Sequence, residues 1–358
     1  GDLRRTMSMS TIEWLAWLLL LLLIVRITQK LQAIHLLLRP DAPPPPSVVQ
    51  VPALILRKLT VFLQGVAYLF LSRDKVTKKQ IRSAPDPDDV LGHVDREVRV
   101  IFVRHGESVW NYVFNRGFGP SFIYRLISTL LYELYLLPLF DSAFLDSPLS
   151  QLGLEQCAGL QGFLRKPCID PAAREDFENL VNGESRSLLV SSQLRRACAT
   201  LAISLDERIS RSHEPILLHS SCQEITRNVD SQSIATRGGA PALYGCDELE
   251  RPLRLDGTFN RGNKSLAFTG IRRLNDFARW AADRPEQCII VAGHSLWFRT
   301  FFQLFLPKQF EHISKKSKIV NCGAVGFTLQ TGLTPEGALR HRIDPESLRV
   351  IYGGFDTK

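Results

Sequence analysis

"VRVIFVRHGESVWN", residues 98–111, decides the reading of the chain. Val, Ile and Phe crowd its first half, which is a β pattern. The run stops on Arg104, His105, Gly106 and Glu107, and a helix-like stretch follows. Gly106 permits a close turn, and a helix start presents free N–H groups and a positive dipole end to an anion. Arginine is a bidentate partner for phosphate. A neutral histidine in that position is a competent nucleophile toward phosphorus. Three residues are a modest signal alone, so the remaining strand ends carry the argument.

Working outward, "SRSLLVSS" (185–192), "PILLHS" (215–220), "QCIIVAG" (287–293) and "AVGFTLQ" (324–330) read as further strands. Helical patterns lie between several of them: "LSQLGLEQCAGLQGFL", "LRRACATLAISLDERIS" and "GIRRLNDFARWAAD". Apolar β runs alternating with amphipathic helices predict an α/β fold, a mixed and mostly parallel sheet covered by helices on both faces. Ligands of such sheets bind beyond the carboxyl ends of the strands. Charged residues gather at those ends: Arg195 and Arg196 after the second run, Glu224 in the loop after the third, and His294 after the fourth. Together with Arg104 and His105 they make an anion site with acid–base equipment.

The front of the chain is of another kind. Residues 14–25, "WLAWLLLLLLIV", carry no charge, but as a helix they span only about 18 Å against roughly 30 Å of hydrocarbon. Residues 11–29 take in Glu13 and Arg26, which can snorkel, and Trp14 and Trp17, which favour a headgroup region. This is read as a single-pass anchor. Arg26, Lys30 and Arg39 follow the run against Arg4 and Arg5 before it, which places the rest of the chain on the cytoplasm-like side and leaves an organellar membrane open. With Gly1 first and methionines at 7 and 9 alone, the chain is expected to be a processed or engineered form. Four prolines at 43–46 make a stiff spacer. Residues 53–71 are apolar again, interrupted by Arg57 and Lys58, and are followed by Arg73, Lys75, Lys78, Lys79 and Arg82, which suits equally a second membrane contact and a helix packed on the folded domain with a solvated basic end.

The expected organisation is an anchor region at 1–38, a Pro-rich linker at 39–52, an apolar and basic helix with a linker at 53–97, and a folded domain at 98–358. At 358 residues and 45% hydrophobic, the chain can bury one large core or two modest ones. Its net charge of +8 suits anionic partners without choosing among them. Basic residues of the domain are interspersed with acids and no aromatic-interleaved motif is present, so no nucleic-acid partner is expected. The seven cysteines show no C-x-x-C spacing. Neither a disulfide framework nor a metal site is suggested, and no cofactor is expected.

Taken together, "RHGESVWN", "SPLSQLGLEQC" (147–157), "SSQLRRACAT" and "GHS" resemble the histidine phosphatase superfamily, in its phosphoglycerate-mutase-like branch. The resemblance covers roughly residues 98–330. It implies a mixed sheet flanked by helices and a metal-independent phosphatase acting on a phosphomonoester or phosphoprotein. It implies that His105 becomes phosphohistidine, that Glu224 is the general acid, and that Arg104, Arg196 and His294 hold the phosphoryl oxygens with Asn111 in addition. Arg196 rather than Arg195 follows from the pattern Ser-x-Leu-x-Arg-Ala, which fits Ser192 through Ala197. Gln193 stands where the family often has proline. The largest departure is an insertion at 112–145 containing "FIYRLISTLLYELYLLPLF", expected first to be a buried extra helix, with a cap over the pocket or a contact with membrane or a partner subunit as alternatives that an exposed apolar patch would favour. Two alternatives stand beside this reading: an accessory subunit of a membrane complex retaining a phosphatase-like fold, and a phosphoglycerate mutase.

Overall fold

The computed structural model of the chain describes residues 11–38, 45–88, 93–183, 187–243, 253–267, 269–334 and 336–357. The first ten residues of the anchor region, the start of the Pro-rich linker and residues 244–252 lie outside that description.

The strands are β1 (Arg96–Arg104), β2 (Ser187–Ser191), β3 (Ile216–Leu218), β4 (Leu255–Asp256), β5 (Cys288–Gly293), β6 (Ala324–Leu333), β7 (Leu339–Ile343) and β8 (Arg349–Tyr352). They form one sheet in the order β4-β3-β2-β5-β1-β6-β7, with β8 also paired to β6. Pairings from β4 through to β1 are parallel, and those made by β6 are antiparallel. The sheet is therefore mixed, as the sequence predicts. Three strands go beyond the expected set: β4, β7 and β8 are short or partly exposed and carry little apolar periodicity.

The helices are α1 (Thr11–Leu38), α2 (Val51–Leu71), α3 (Lys78–Ser83), α4 (Val109–Phe114), α5 (Pro120–Leu136), α6 (Gln151–Leu164), α7 (Arg174–Val181), α8 (Arg195–Ser204), α9 (Asp206–Ser212), α10 (Gly270–Ala282) and α11 (Ser295–Phe305). Two cores sandwich the sheet. Val98, Val100 and Phe102 of β1 point into one with α10 and α11, where Phe102 stacks on Phe298 at 4.1 Å between ring centres. Ile101 and Val103 point into the other, with α6 and α8. Burial on both faces is why β1 and β5 read as continuous apolar runs rather than alternating ones. The single helical run expected over 194–210 divides at Leu205, whose backbone (φ −110°, ψ 23°) leaves the α region.

At 28 residues, α1 is roughly 42 Å long, more than its uncharged run alone provides. Both α1 and α2 are long and apolar enough to cross a membrane, by length and composition. α2, however, has one buried face: Val51, Leu54, Lys58, Val61, Gly65 and Tyr68. The segment 53–97 is tied into the domain at two buried points. Lys58 Nζ donates to the carbonyls of Leu136, Leu137 and Asp141. Asp74, fully buried, pairs with Lys264 (3.1 Å) and Arg273 (2.5 Å).

The insertion corrects one expectation outright. α5 is not a buried extra helix: Ile127, Leu131 and Leu134 are 52%, 62% and 64% exposed. Its polar residues face inward instead. Arg125 donates to Gly117 O (2.8 Å) and Ser121 Oγ (3.0 Å), and Glu133 accepts from Ser142 Oγ (2.8 Å) and Ala143 N (2.5 Å). Apolar composition alone does not reveal which side of a helix meets the core.

Candidate active site

The site forms where β1, β5 and β2 end. In the parallel β1–β5 register Arg104 sits opposite Gly293, and His105 N donates to Gly293 O (3.0 Å). The next residue on each strand is thus a histidine, and the rings of His105 and His294 stand 5.0 Å apart. A parallel pair fixes this juxtaposition through backbone bonds alone.

The loop after His105 is held on all sides. Thr200 Oγ1 accepts from Gly106 N (3.0 Å), Gln156 from Glu107 N (2.8 Å), and Asn321 Nδ2 donates to His105 O (2.9 Å). Glu107, the last residue of the opening motif's charged quartet, pairs with Arg116 (2.7 Å) and accepts from Ser150 Oγ (2.7 Å). Ser108 and Ser150 cap α4 and α6. The loop also lies against the start of α6 with no room for a side chain. A Cβ on Gly106 would meet Gly153 O at 2.7 Å, and one on Gly153 would run into Glu107 O.

His105 is 4% exposed, and its Nδ1 contacts Gly106 O at 2.6 Å. A carbonyl only accepts, so Nδ1 carries the proton and Nε2 keeps its lone pair. Burial, then the cations Arg196 and Arg104, hold the imidazole well below its usual pKa, which keeps it neutral. His294 is fully buried and held low by burial, Arg196 and His105. Among the described residues neither of its ring nitrogens has a partner. Arg104 spends Nη1 on Ile319 O (2.6 Å) and Arg196 spends Nη1 on Asp230 O (3.0 Å). A buried histidine with both nitrogens open is rare in folded proteins and calls for an explanation.

Glu224 enters from the loop after β3. Its carboxylate accepts from Ile225 N (2.9 Å), Trp297 N (3.0 Å) and Leu296 N (3.4 Å), so it sits at the N-terminus of α11 directly after His294. Its charge acts on Arg104 and on Asp230, which puts all three in one electrostatic cluster. Lys264 Nζ donates to Glu224 O (2.7 Å) and Thr226 O (2.6 Å), and Arg273 Nη1 to Gln223 O (2.6 Å). Through Asp74, these two cations fasten the end of α2 to the Glu224 loop.

The structure brings Arg104, His105, Arg196, His294 and Glu224 together. Asn111 lies in the first turn of α4, where its carboxamide oxygen accepts from Asn115 (3.1 Å). Gln193 spans the rim, donating to Gly262 O (3.0 Å) and accepting from Ser220 Oγ (2.5 Å). Asp230, which in sequence could be confused with Glu224 as the acid, pairs instead with Arg196 (3.3 Å); sequence reading left out the Asp74–Lys264–Arg273 group. No local spacing could have shown the latter, because its members lie about 190 positions apart. Among the described residues no cluster of His, Cys, Asp or Glu could hold a metal ion.

No protein-family model matches the chain, and no curated protein matches it. Solved structures do. Mycobacterial glucosyl-3-phosphoglycerate phosphatase, complexed with VO3, is 16% identical, covering 69% of this chain and 97% of its own, with a TM-score of 0.34. The ecdysone phosphate phosphatase of Bombix mori, in complex with tungstate, is 13% identical, covering 73% and 94%, with a TM-score of 0.36. Phosphoglycerate mutase from Thermus thermophilus is 16% identical, covering 64% and 92%, with a TM-score of 0.29. Likenesses this distant leave the reading to the residues themselves.

Proposed function

We propose that the chain is a membrane-anchored histidine phosphatase that hydrolyses a phosphomonoester or a phosphorylated protein through phosphohistidine at His105, without a metal. One observation carries this reading: two histidines and two arginines are buried together at the carboxyl ends of β1, β5 and β2, and among the described residues neither ring nitrogen of His294 has a partner. A phosphoryl group has the charge and the acceptor oxygens to complete them.

In this reading the reaction runs in two steps. Nε2 of His105 attacks phosphorus in line, and Nδ1 stays bonded to Gly106 O as positive charge develops on the ring. Arg104 and Arg196 neutralise the transferring group, and His294 donates to one of its oxygens. The bond from phosphorus to the ester oxygen breaks, and that oxygen takes a proton from Glu224. Water then attacks the phosphohistidine, Glu224 takes its proton, phosphate leaves and His105 is regenerated. α1 supplies the anchor through residues 11–29, with the domain on the cytoplasm-like side; its length and the excess of Lys and Arg after the apolar run support this.

The test is phosphate release from a panel of phosphomonoesters and phosphopeptides by the full chain in detergent with a chelator present. The reading expects turnover and acid-labile label on His105. Turnover restored only by a divalent cation would end the metal-independent reading. A folded protein inert on the whole panel would end the phosphatase.

A further inference from the structure

α5 is built inside out for a helix on a water-soluble domain. Arg125 and Thr129 are buried, each 7% exposed, and Glu133 is spent on the 142–144 backbone and hydroxyl. The outward stripe is Ile123, Ile127, Leu130, Leu131 and Leu134, every one at least 48% exposed and spaced to lie along one side of the helix. α2 repeats the pattern on its free side with Leu56, Leu59, Leu63 and Phe70. Lys58 joins the two, because its ammonium, on the buried side of α2, is held by carbonyls at the end of α5. Apolar surface this extensive on a folded domain marks an interaction site.

What covers it is indicated by charge. Arg73, Lys75, Lys78, Lys79 and Arg82 follow α2 directly and are all exposed, and among the described residues none of their side chains has an ion pair. The one acid in that stretch, Asp74, is drawn inside by Lys264 and Arg273. Folding therefore turns a mixed-charge segment into a purely basic collar beside an apolar stripe. An apolar helix face with a basic rim matches the acyl boundary and the headgroups of an anionic bilayer. The face is also within reach of α1: residues 39–50 join α1 to α2, and at full extension they cover roughly 40 Å.

We propose that α2, the basic collar and α5 form one docking face that lies along an anionic phospholipid bilayer. α2 is then an interfacial helix rather than a second span, since one face of it is packed on the domain and a buried lysine sits within that face.

The experiment reconstitutes the full chain into vesicles containing a phospholipid with a photoactivatable acyl chain, and maps lipid adducts by mass spectrometry. Phosphatidylcholine vesicles with and without phosphatidylserine are compared, and adducts on α1 serve as the internal reference. The expected result is adducts on the α5 and α2 stripes that are stronger with phosphatidylserine. The triple variant Lys75→Glu, Lys78→Glu, Lys79→Glu should lower them by about tenfold or more, with α1 adducts and detergent-phase phosphate release unchanged. Leu131→Asp, a substitution at an exposed position, should remove adducts around it and leave the melting temperature in place. Adducts confined to α1 would overturn the proposal and spare the anchor. Adducts on α2 and α5 with none on α1 would support it and remove the anchor. Protein–protein cross-links at α5 in place of lipid adducts would overturn it in favour of a second copy or another subunit.

Discussion

Two neighbouring arginines at the head of α8 are equally hidden and do opposite things. Arg195 is 3% exposed and Arg196 is 2% exposed. Arg195 is saturated: its Nε donates to Asp146 O (2.6 Å), and its other nitrogens bind Asp141 and Ser142 O. Its backbone N–H also donates to Asp146, whose carboxylate in turn accepts from Ser233 Oγ (2.7 Å). Arg196 has one acidic partner at 3.3 Å and, among the described residues, a buried Nε without a partner, and its charge acts on His294. One turn of helix thus contains a finished structural joint and an unfinished electrostatic one. Chemistry belongs with the unfinished one, because a ligand can bind only to groups the protein has left open.

The sharpest way to break that distinction is at the nucleophile. His105→Ala should lower kcat for phosphate release by roughly 10⁴-fold or more, with the melting temperature little changed; residual activity within tenfold of the parent would show that another group attacks. Next come the two arginines. Arg196→Ala should cost about 10²–10³-fold in kcat. Arg195→Ala should instead destabilise the fold by about 3–5 kcal/mol, since it strands Asp141 as a buried unpaired charge. Chemical denaturation together with steady-state kinetics separates the two, and matching profiles for the pair would erase the comparison. Smaller still is the response to anions. Vanadate or phosphate at about 100 times its dissociation constant should stabilise the protein by about 2.7 kcal/mol, and Arg196→Ala or His294→Ala should abolish the shift while Gln330→Ala keeps it.

The smallest effect concerns protons. Burial pushes His219 down to about 3 and His341 down to about 4, and holds His105 and His294 well below the ordinary value of 6.5. At these four histidines the folded protein therefore binds fewer protons than the unfolded chain below pH 6.5. Their contribution to stability is complete above that pH and is lost as pH falls from about 6.5 toward the folded values. His341→Gln should reduce proton uptake on unfolding near pH 5 by about one, flattening the stability curve by about 1.4 kcal/mol per pH unit. An unaltered slope would mean that His341 is protonated in the folded protein.

Much of the frame was legible because it is local. β1 and β5 announce themselves by apolar runs ending in Arg104-His105 and Gly293-His294, and a parallel sheet puts such ends side by side. β7 and β8 were not legible, since strands that expose alternate residues at a sheet edge, such as "LRHRI", look like loop. The site splits the same way. Residues directly after strands could be named, whereas the support for Glu224 depends on Asp74, Lys264 and Arg273, which only folding assembles. Asn111 was named on motif alone, and the structure gives its oxygen to Asn115. The insertion failed for a physical reason: a helix apolar nearly all round carries no directional signal, and the inward turn of Arg125 and Glu133 is set by the 117–121 and 142–144 backbone and hydroxyls they find there.

The seam between Gly106 and Gly153 has a genetic corollary. Neither residue has a side chain to offer a substrate, and each leaves only enough space for the other strand of chain to pass. A single added methyl at either position would push the nucleophile's loop off its seat while every charged group stayed present. In an unbiased screen for inactive alleles, alanine at these two codons should therefore surface alongside losses of the histidines and arginines. The two sites should also tolerate fewer replacements than Gly119 or Gly162, where nothing lies within 4 Å.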